Sequence, residues 1–304
     1  MRILFVTATR IGDAVLSTGL IDHLLRTYPQ ARFTIACGPV AEGIFARMPR
    51  RDATIVLSKR RFAGHWLSLW AEVARRRWDL VVDLRGSALS WLVLTKRRAV
   101  MHGGRRTGHK LQQLAAVLGL DPAPRPAAWW GPQDAARAAA LLPGEGPFIA
   151  LGPSANWAGK VWPPERFSAL FQQLTAPGGR LAGARAVVLA GPGAVEAAMA
   201  APVLAALPDA IDLVGRLELP EAAAVMARCA LFLGNDSGLM HLSAAAGTPT
   251  LGLFGPTPAT EYAPMGPRAR AVLARGAPGQ APMQALPVED ALAAAIALLD
   301  QPAP

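Results

Sequence analysis

Residues 230–260 read ALFLGNDSGLMHLSAAAGTPTLGLFGPTPAT, and they leave the chain few ways to fold. The apolar run at 230–233 has the length of a strand. The polar turn Gly234-Asn235-Asp236-Ser237-Gly238 follows, then a helix of small residues at 239–246, closed by Gly247. A second apolar run at 249–254 ends in a Gly-Pro turn. Strand, loop, helix, strand is one unit of a parallel sheet with helices packed on its faces. In such sheets ligands bind where loops leave the carboxyl ends of the strands.

The residue types of this loop suit an anion. Ser237, Gly238 and Leu239 are expected in the first turn of the helix, where backbone N–H groups have no intrahelical partner. Those donors and the helix dipole together favour phosphate. Gly238 has no Cβ and lets a ligand approach the backbone. Asp236 has two readings, an N-cap or an acceptor for a sugar's hydroxyls. His241, on the same helix, reads as a buried histidine bonded to backbone.

The rest of the chain repeats the alternation. Strands at 3–6, 33–36, 53–57, 80–84 and 99–102 alternate with helices at 14–28, 40–48 and 62–77. Strands at 148–152, 186–190 and 211–214 alternate with helices at 164–174, 194–206 and 220–229. This is an α/β chain with two doubly wound domains. Pro-, Ala- and Trp-rich residues 121–131 mark a loop or inter-domain segment, and PGEGP at 143–147 a junction. The expected domains are 1–145 and 146–285, with a tail at 286–304 whose helix, 288–299, packs back across the junction. Trp66 and Trp70, four apart on a helix, read as core packing.

Three further positions carry chemistry. Asp13 starts a helix on the loop leaving the first strand, beside Gly12, and is either an N-cap or a general base. Lys160 lies on a loop after the strand at 148–152 and is the only lysine of the second domain. It is either a solvated surface lysine or a partner for a diphosphate. Gly191-Pro192-Gly193 follows a strand, but position 196 holds glutamate where a dinucleotide fingerprint needs glycine. Glu196 can instead bridge the vicinal hydroxyls of a ribose, or simply favour a helix N-terminus.

Composition narrows the classes. No apolar run approaches the ~20 residues of a membrane span. The N-terminal MRILFVTATR has too short an apolar core for a signal peptide. A cytoplasmic protein is expected. Cys37 and Cys229 lack metal-ligand spacing and read as buried small side chains without a disulfide. There is no Asp-x-Asp pair, so neither a metal-bound donor nor any cofactor is expected. Residues 1–143 hold 22 Lys/Arg against 9 Asp/Glu, and residues 144–304 hold 9 against 12. The basic excess suits an acidic partner: phosphorylated glycolipid, anionic membrane surface or nucleic acid. Its runs are Lys59-Arg60-Arg61, Arg75-Arg76-Arg77, Lys96-Arg97-Arg98 and Arg105-Arg106 with His109-Lys110. Some read as solvated helix ends. They spread over several elements without a nucleic-acid motif, so no nucleic acid is expected.

The segment DSGLMHLSAAAGTPTLGLFGPT resembles the signature of glycosyltransferase family 9, the heptosyltransferases. RIGDAVLST at 10–18, WDLVVDLRGS at 78–87 and the K-x-W-P pattern at 160–163 resemble further segments of that family. The resemblance implies a GT-B fold, two Rossmann-like domains facing across a cleft. It implies an inverting, metal-independent transfer of heptose from ADP-heptose to a hydroxyl of the lipopolysaccharide core. By resemblance Asp13 is the base, Lys160 holds the donor phosphates and Glu196 the ribose. Asp236, Ser237, Gly238, Leu239 and His241 then form or support the pyrophosphate loop, and Thr257 borders the adenine or sugar pocket. Arg10, Gly12 and Arg85 are acceptor-side candidates. Asn156-Trp157-Ala158-Gly159 stand where the family often carries hydroxyl or basic residues. A place at the inner face of the inner membrane is also implied. The rivals are a transferase for another nucleotide sugar or envelope glycan and a non-catalytic nucleotide- or glycan-binding protein.

Overall fold

The computed structural model describes residues 1–58, 61–104, 107–144 and 146–302. Lys59, Arg60, Arg105 and Arg106 of the basic runs and Glu145 of the expected junction lie outside these residues. The chain divides into two compact units, Met1–Trp129 and Trp130–Pro304.

The first unit runs β1 (Arg2–Val6), α1 (Ile11–Thr27), β2 (Arg32–Cys37), β3 (Arg51–Val56), α2 (Gly64–Val73), β4 (Trp78–Asp83), β5 (Thr95–Val100) and α3 (Lys110–Ala115). Its five strands are parallel in the order β3-β2-β1-β4-β5. Central β1 is apolar on both faces because helices or loops cover both, and Ile3, Leu4, Phe5 and Val6 are all buried. α1 buries Val15, Leu16, Leu20, Ile21, Leu24 and Leu25, the stripe that its periodicity marks out. It begins at Ile11 rather than at 14. The Pro-rich segment is packed rather than free. Ala127 N–H donates to Thr18 Oγ1 at 2.9 Å. A Cβ on Gly19 would meet Pro124 O at 2.4 Å.

Four expectations need correction in this unit. The run Lys96-Arg97-Arg98 belongs to β5, which begins at Thr95 rather than at 99. β5 is an edge strand, and charged side chains there discourage pairing with another chain. Lys96 Nζ reaches Asp79 Oδ1 of β4 at 2.6 Å. The expected helix at 40–48 is a 3₁₀ helix, Pro39–Phe45, while α2 spans less than 62–77 and Arg75, Arg76 and Arg77 follow it exposed. Trp70 is exposed rather than core, whereas Trp66, half-buried, packs against the core as expected.

The second unit runs α4 (Pro132–Leu141), β6 (Phe148–Gly152), α5 (Pro164–Thr175), β7 (Arg185–Val188), α6 (Ala194–Ala206), β8 (Ile211–Asp212), α7 (Leu219–Ala227), β9 (Leu231–Asn235), α8 (Gly238–Ala245), β10 (Thr250–Phe254), α9 (Ala259–Tyr262), β11 (Ala269–Leu273) and α10 (Val288–Leu299). Its parallel sheet has the order β11-β10-β9-β6-β7-β8. The units part at Trp129, upstream of the junction expected near 142–147. The cause is α4, which packs on α7 with Ala138 and Leu142 buried and Arg137 3.9 Å from Glu221. α10 spans 288–299 as expected and packs within its own unit, against α5, β10 and β11. It contributes Ala291, Ala295 and Leu298 to the core. Among the described residues no helix is long and apolar enough to cross a membrane.

Candidate active site

In the first unit the chain winds from β1 outward to β3, then returns to β4 and winds the other way. β1 and β4 are neighbours at this reversal, so the loops leaving their carboxyl ends diverge and open a crevice. A cavity of about 300 Å³ occupies it. Thr7, Thr9, Arg10 and Asp13 line it from the β1 side, Arg85 from the β4 side and Lys110 from the start of α3.

Asp13 is the third residue of α1 and is half-buried. The N-cap is Arg10, in extended conformation and with no side-chain cap bond, so the capping reading of Asp13 fails. Among the described residues its carboxylate has no hydrogen bond or ion pair. It faces the cavity with the helix dipole behind it.

Arg85 is held by a device that the sequence reading did not single out. Buried Asp83 accepts from Arg85 N–H at 2.9 Å through Oδ1, and from Ser87 N–H at 2.9 Å and Ser87 Oγ at 2.5 Å through Oδ2. Gly86 turns the loop at φ 62°, where an added Cβ would meet Met101 O at 2.3 Å. The guanidinium of Arg85 then lies 5.1 Å from the ring centre of Trp66. Lys110 was visible only as one member of a basic run. The fold turns it into the cavity beside Arg10, Arg85 and Asp13, and three cations around one carboxylate suit an anionic ligand.

The second unit repeats the arrangement. Its strand order reverses between β6 and β9, and the loops leaving those two strands carry Lys160 and Asp236. Lys160 Nζ donates to Asp236 Oδ2 at 2.6 Å, with the two side chains 18% and 8% exposed. His241, buried on α8, places Nε2 4.0 Å from Asp236 Oδ1. Neither reading of Asp236 anticipated the lysine. The helix cap is Ser237, whose Oγ accepts from Met240 N–H at 3.5 Å. Ser237 therefore precedes the helix instead of opening its first turn, and the exposed helical donors are the amides of Gly238 and Leu239.

Two buried side chains position the lysine loop. Asn235 accepts from Trp162 N–H at 3.0 Å and donates to Pro153 O at 2.8 Å, pinning both ends of residues 153–162 to the tip of β9. Trp162 is fully buried, sits edge-on to Phe167 and donates Nε1–H to Leu286 O at 2.8 Å. The tryptophan of K-x-W-P is thus the anchor from which Lys160 projects. Glu196 is not part of this group. It is the third residue of α6, which begins at Ala194, and it folds back over Gly193. It shares only the carboxyl edge of the sheet with Lys160 and Asp236. Thr257 is buried in the turn after β10.

Cys37 and Cys229 are buried free thiols, and burial first of all pushes each up to about 12. Among the described residues no group of three or more His, Cys, Asp or Glu could hold a metal ion.

Comparison with known proteins gives the family and the fold. The family model of glycosyltransferase family 9 (heptosyltransferase) matches residues 109–286. Lipopolysaccharide heptosyltransferase 2 of Salmonella typhimurium is 26% identical over 90% of this chain and 88% of its own. The family 9 glycosyl transferase structure from Veillonella parvula superposes with a TM-score of 0.78 at 22% identity, covering 98% of this chain and 97% of that one. E. coli heptosyltransferase WaaC, solved with ADP, superposes with a TM-score of 0.75 at 18% identity, covering 98% and 100%. The fold is GT-B in class, α/β with two Rossmann-like units.

Proposed function

The chain belongs to glycosyltransferase family 9, and on that premise we propose that it moves heptose from ADP-heptose to a hydroxyl of the lipopolysaccharide core. The observation that carries the reading is the carboxylate of Asp13, unpaired among the described residues and facing a cavity whose other charged groups are cations. The names of its relatives and the ADP bound to an E. coli protein of the same fold support the substrates.

The reaction proceeds with inversion and without a metal. Asp13 takes the proton of the acceptor hydroxyl as its oxygen attacks the anomeric carbon, opposite the diphosphate. The new C–O bond forms as the bond to the diphosphate oxygen breaks, and ADP leaves with the electron pair. Lys160 and the amides of Gly238 and Leu239 stabilise the charge growing on that leaving group. Asp236 keeps the Lys160 ammonium in place, and His241 sits behind Asp236. Glu196 takes the ribose hydroxyls of the donor. Arg10, Arg85 and Lys110 meet the anionic groups of the acceptor. The enzyme works in the cytoplasm, at the inner face of the inner membrane where its lipid-borne acceptor resides.

The test is ADP release from ADP-heptose, with and without a heptose-deficient core, in EDTA throughout. Acceptor-dependent release that falls at least ~100-fold in Asp13→Ala is expected. Tight ADP binding with no release would overturn the donor sugar or the acceptor, and dependence on an added metal would overturn the metal-free step.

A further inference from the structure

A second cavity in the first unit, of about 630 Å³, adjoins the Asp13 cavity and shares Arg85 with it. Its lining is otherwise mostly apolar, with Trp66, Leu67 and Trp70 from one face of α2 and Leu92 from the segment before β5. Trp70 Nε1–H donates to Leu92 O at 3.0 Å, which ties the two segments and satisfies the indole's one donor. On and next to the two segments that line this cavity, large apolar side chains face water. Phe62 is 95% exposed, Trp91 63% and Leu92 64%. Phe62 also holds a left-handed backbone at φ 52°, a conformation costly for a bulky residue. Nothing within the unit is gained by exposing it.

Cations are set among these rings. Guanidinium groups lie over Phe62 (Arg61, 5.7 Å), Trp66 (Arg85, 5.1 Å) and Trp91 (Arg98, 5.5 Å). Exposed large apolar side chains grouped beside polar ones mark an interaction site. Arginine and tryptophan are enriched in protein interfaces too, so composition alone does not choose the occupant. Indole rings interleaved with arginines also match the headgroup level of a membrane, where rings enter the acyl boundary and cations meet anionic lipid. Charge favours the membrane. The surrounding half of the chain carries the basic excess, 22 Lys/Arg against 9 Asp/Glu over residues 1–143.

We infer that this face docks the first unit on an anionic lipid bilayer. The inference rests on the function proposed above in one respect. Through the shared Arg85, it sets the Asp13 cavity beside the lipid surface, where a lipid-borne acceptor can reach it without leaving the membrane.

Flotation of the full chain with phosphatidylcholine vesicles, with and without phosphatidylglycerol, tests it. The wild type is expected to float with the anionic vesicles and to be released by high salt. Trp91→Ser/Leu92→Glu is expected to bind at least about tenfold more weakly, yet to turn over a water-soluble, deacylated acceptor unchanged. Leu67→Glu provides the same readout should the double variant fail to fold. Absence of flotation, equal binding to neutral vesicles, or undiminished binding by the variants would overturn the inference. So would loss of turnover on the soluble acceptor, which would make the patch part of the site for the acceptor's sugars. A lipid-free dimer that the substitutions dissociate would instead assign the face to a second copy and overturn it too. Flotation needs neither donor nor acceptor, so it succeeds or fails independently of the proposed reaction.

Discussion

Lys160 Nζ lies 2.6 Å from Asp236 Oδ2, a contact between loops 76 residues apart that closes over the strand-order reversal of the second unit. Both groups are largely withdrawn from water, so removing one strands the other. Lys160→Met is expected to destabilise the second unit by about 2–4 kcal/mol. The double variant Lys160→Met/Asp236→Asn should recover part of that loss, with a coupling of about 1–3 kcal/mol in a cycle of denaturant unfolding. Titration calorimetry should show ADP binding at least about tenfold weaker in Lys160→Met. Additive single effects together with unchanged ADP affinity would remove the pair from the donor site.

Asp13 presents the opposite case. It caps nothing and pairs with nothing among the described residues, so its removal costs the fold little. Asp13→Asn should change stability by no more than about 0.5 kcal/mol, the worth of a charge in the first turn of a helix. Acceptor-dependent ADP release should still fall by ~10²–10⁴-fold. ADP affinity should hold, since its proposed contacts lie on the other unit. A variant that unfolds as it loses activity would point to a structural role for the carboxylate.

Asn235 separates positioning from contact. Asn235→Ala deprives Trp162 N–H and Pro153 C=O of their partner in the interior, at about 1–3 kcal/mol for each group left unsatisfied. The lysine loop then loses its ties to the tip of β9. ADP affinity is expected to fall although Asn235 need not touch the nucleotide. The loss should appear as greater proteolysis of residues 153–162 in the absence of ADP, and ADP should restore protection. Unchanged protease sensitivity would mean that Trp162 alone holds the loop.

Local pattern made most of the strands, the loops and most of the helices legible, because each central strand is an apolar run of strand length and most are bounded by Gly, Pro or Asp. The positions of Asp13, Lys160 and the Asp236 loop followed, since a doubly wound sheet puts its loops at one edge. What local pattern could not supply was partnership across the sheet. The ion pair of Lys160 with Asp236 depends on β6 and β9 being neighbours, although β7, β8 and three helices intervene in sequence. Asp83 reads as one more strand residue until the turn at Gly86 brings two amides back to it. β5 was misplaced because Lys96, Arg97 and Arg98 mimic a solvated helix end, while an edge strand tolerates the same charges. β11 was missed because its burial is only partial and its sequence, ARAVL, has a weak apolar signal. The unit boundary was misplaced because an Ala-rich helix does not declare which core it joins.

The two cysteines give a prediction from burial alone. Thiols pushed up to about 12 stay protonated at neutral pH, and the thiolate is the reactive form. Native protein at pH 8 should react negligibly with an Ellman-type disulfide reagent, and two thiols should react after denaturation. The same shift sets a sign for stability. The unfolded chain ionises its thiols from about 9 while the folded chain holds its protons until about 12. This contribution is therefore complete below pH 9 and is lost as pH rises through that window. Rapid labelling of the native protein would show that the end of β2 or the segment between α7 and β9 opens.

Glu196 discriminates between a ribose ligand and a helix-end charge. Its Oε2 lies where a Cβ on Gly193 would be, 2.0 Å away, so Gly193→Ala must push the carboxylate aside without removing it. A carboxylate that bridges a vicinal diol loses one acceptor bond when the 2′-hydroxyl is absent. Wild type should therefore bind ADP about tenfold more tightly than 2′-deoxy-ADP, one charge-assisted hydrogen bond's worth. Glu196→Ala should bring that ratio close to one, and Gly193→Ala should fall between. If Glu196 only complements the dipole of α6, Glu196→Ala should instead lower stability by about 0.3–1 kcal/mol and leave the ratio as in wild type. Calorimetric titration of the two nucleotides against the three proteins decides between these outcomes, and it does so without needing the sugar or the acceptor.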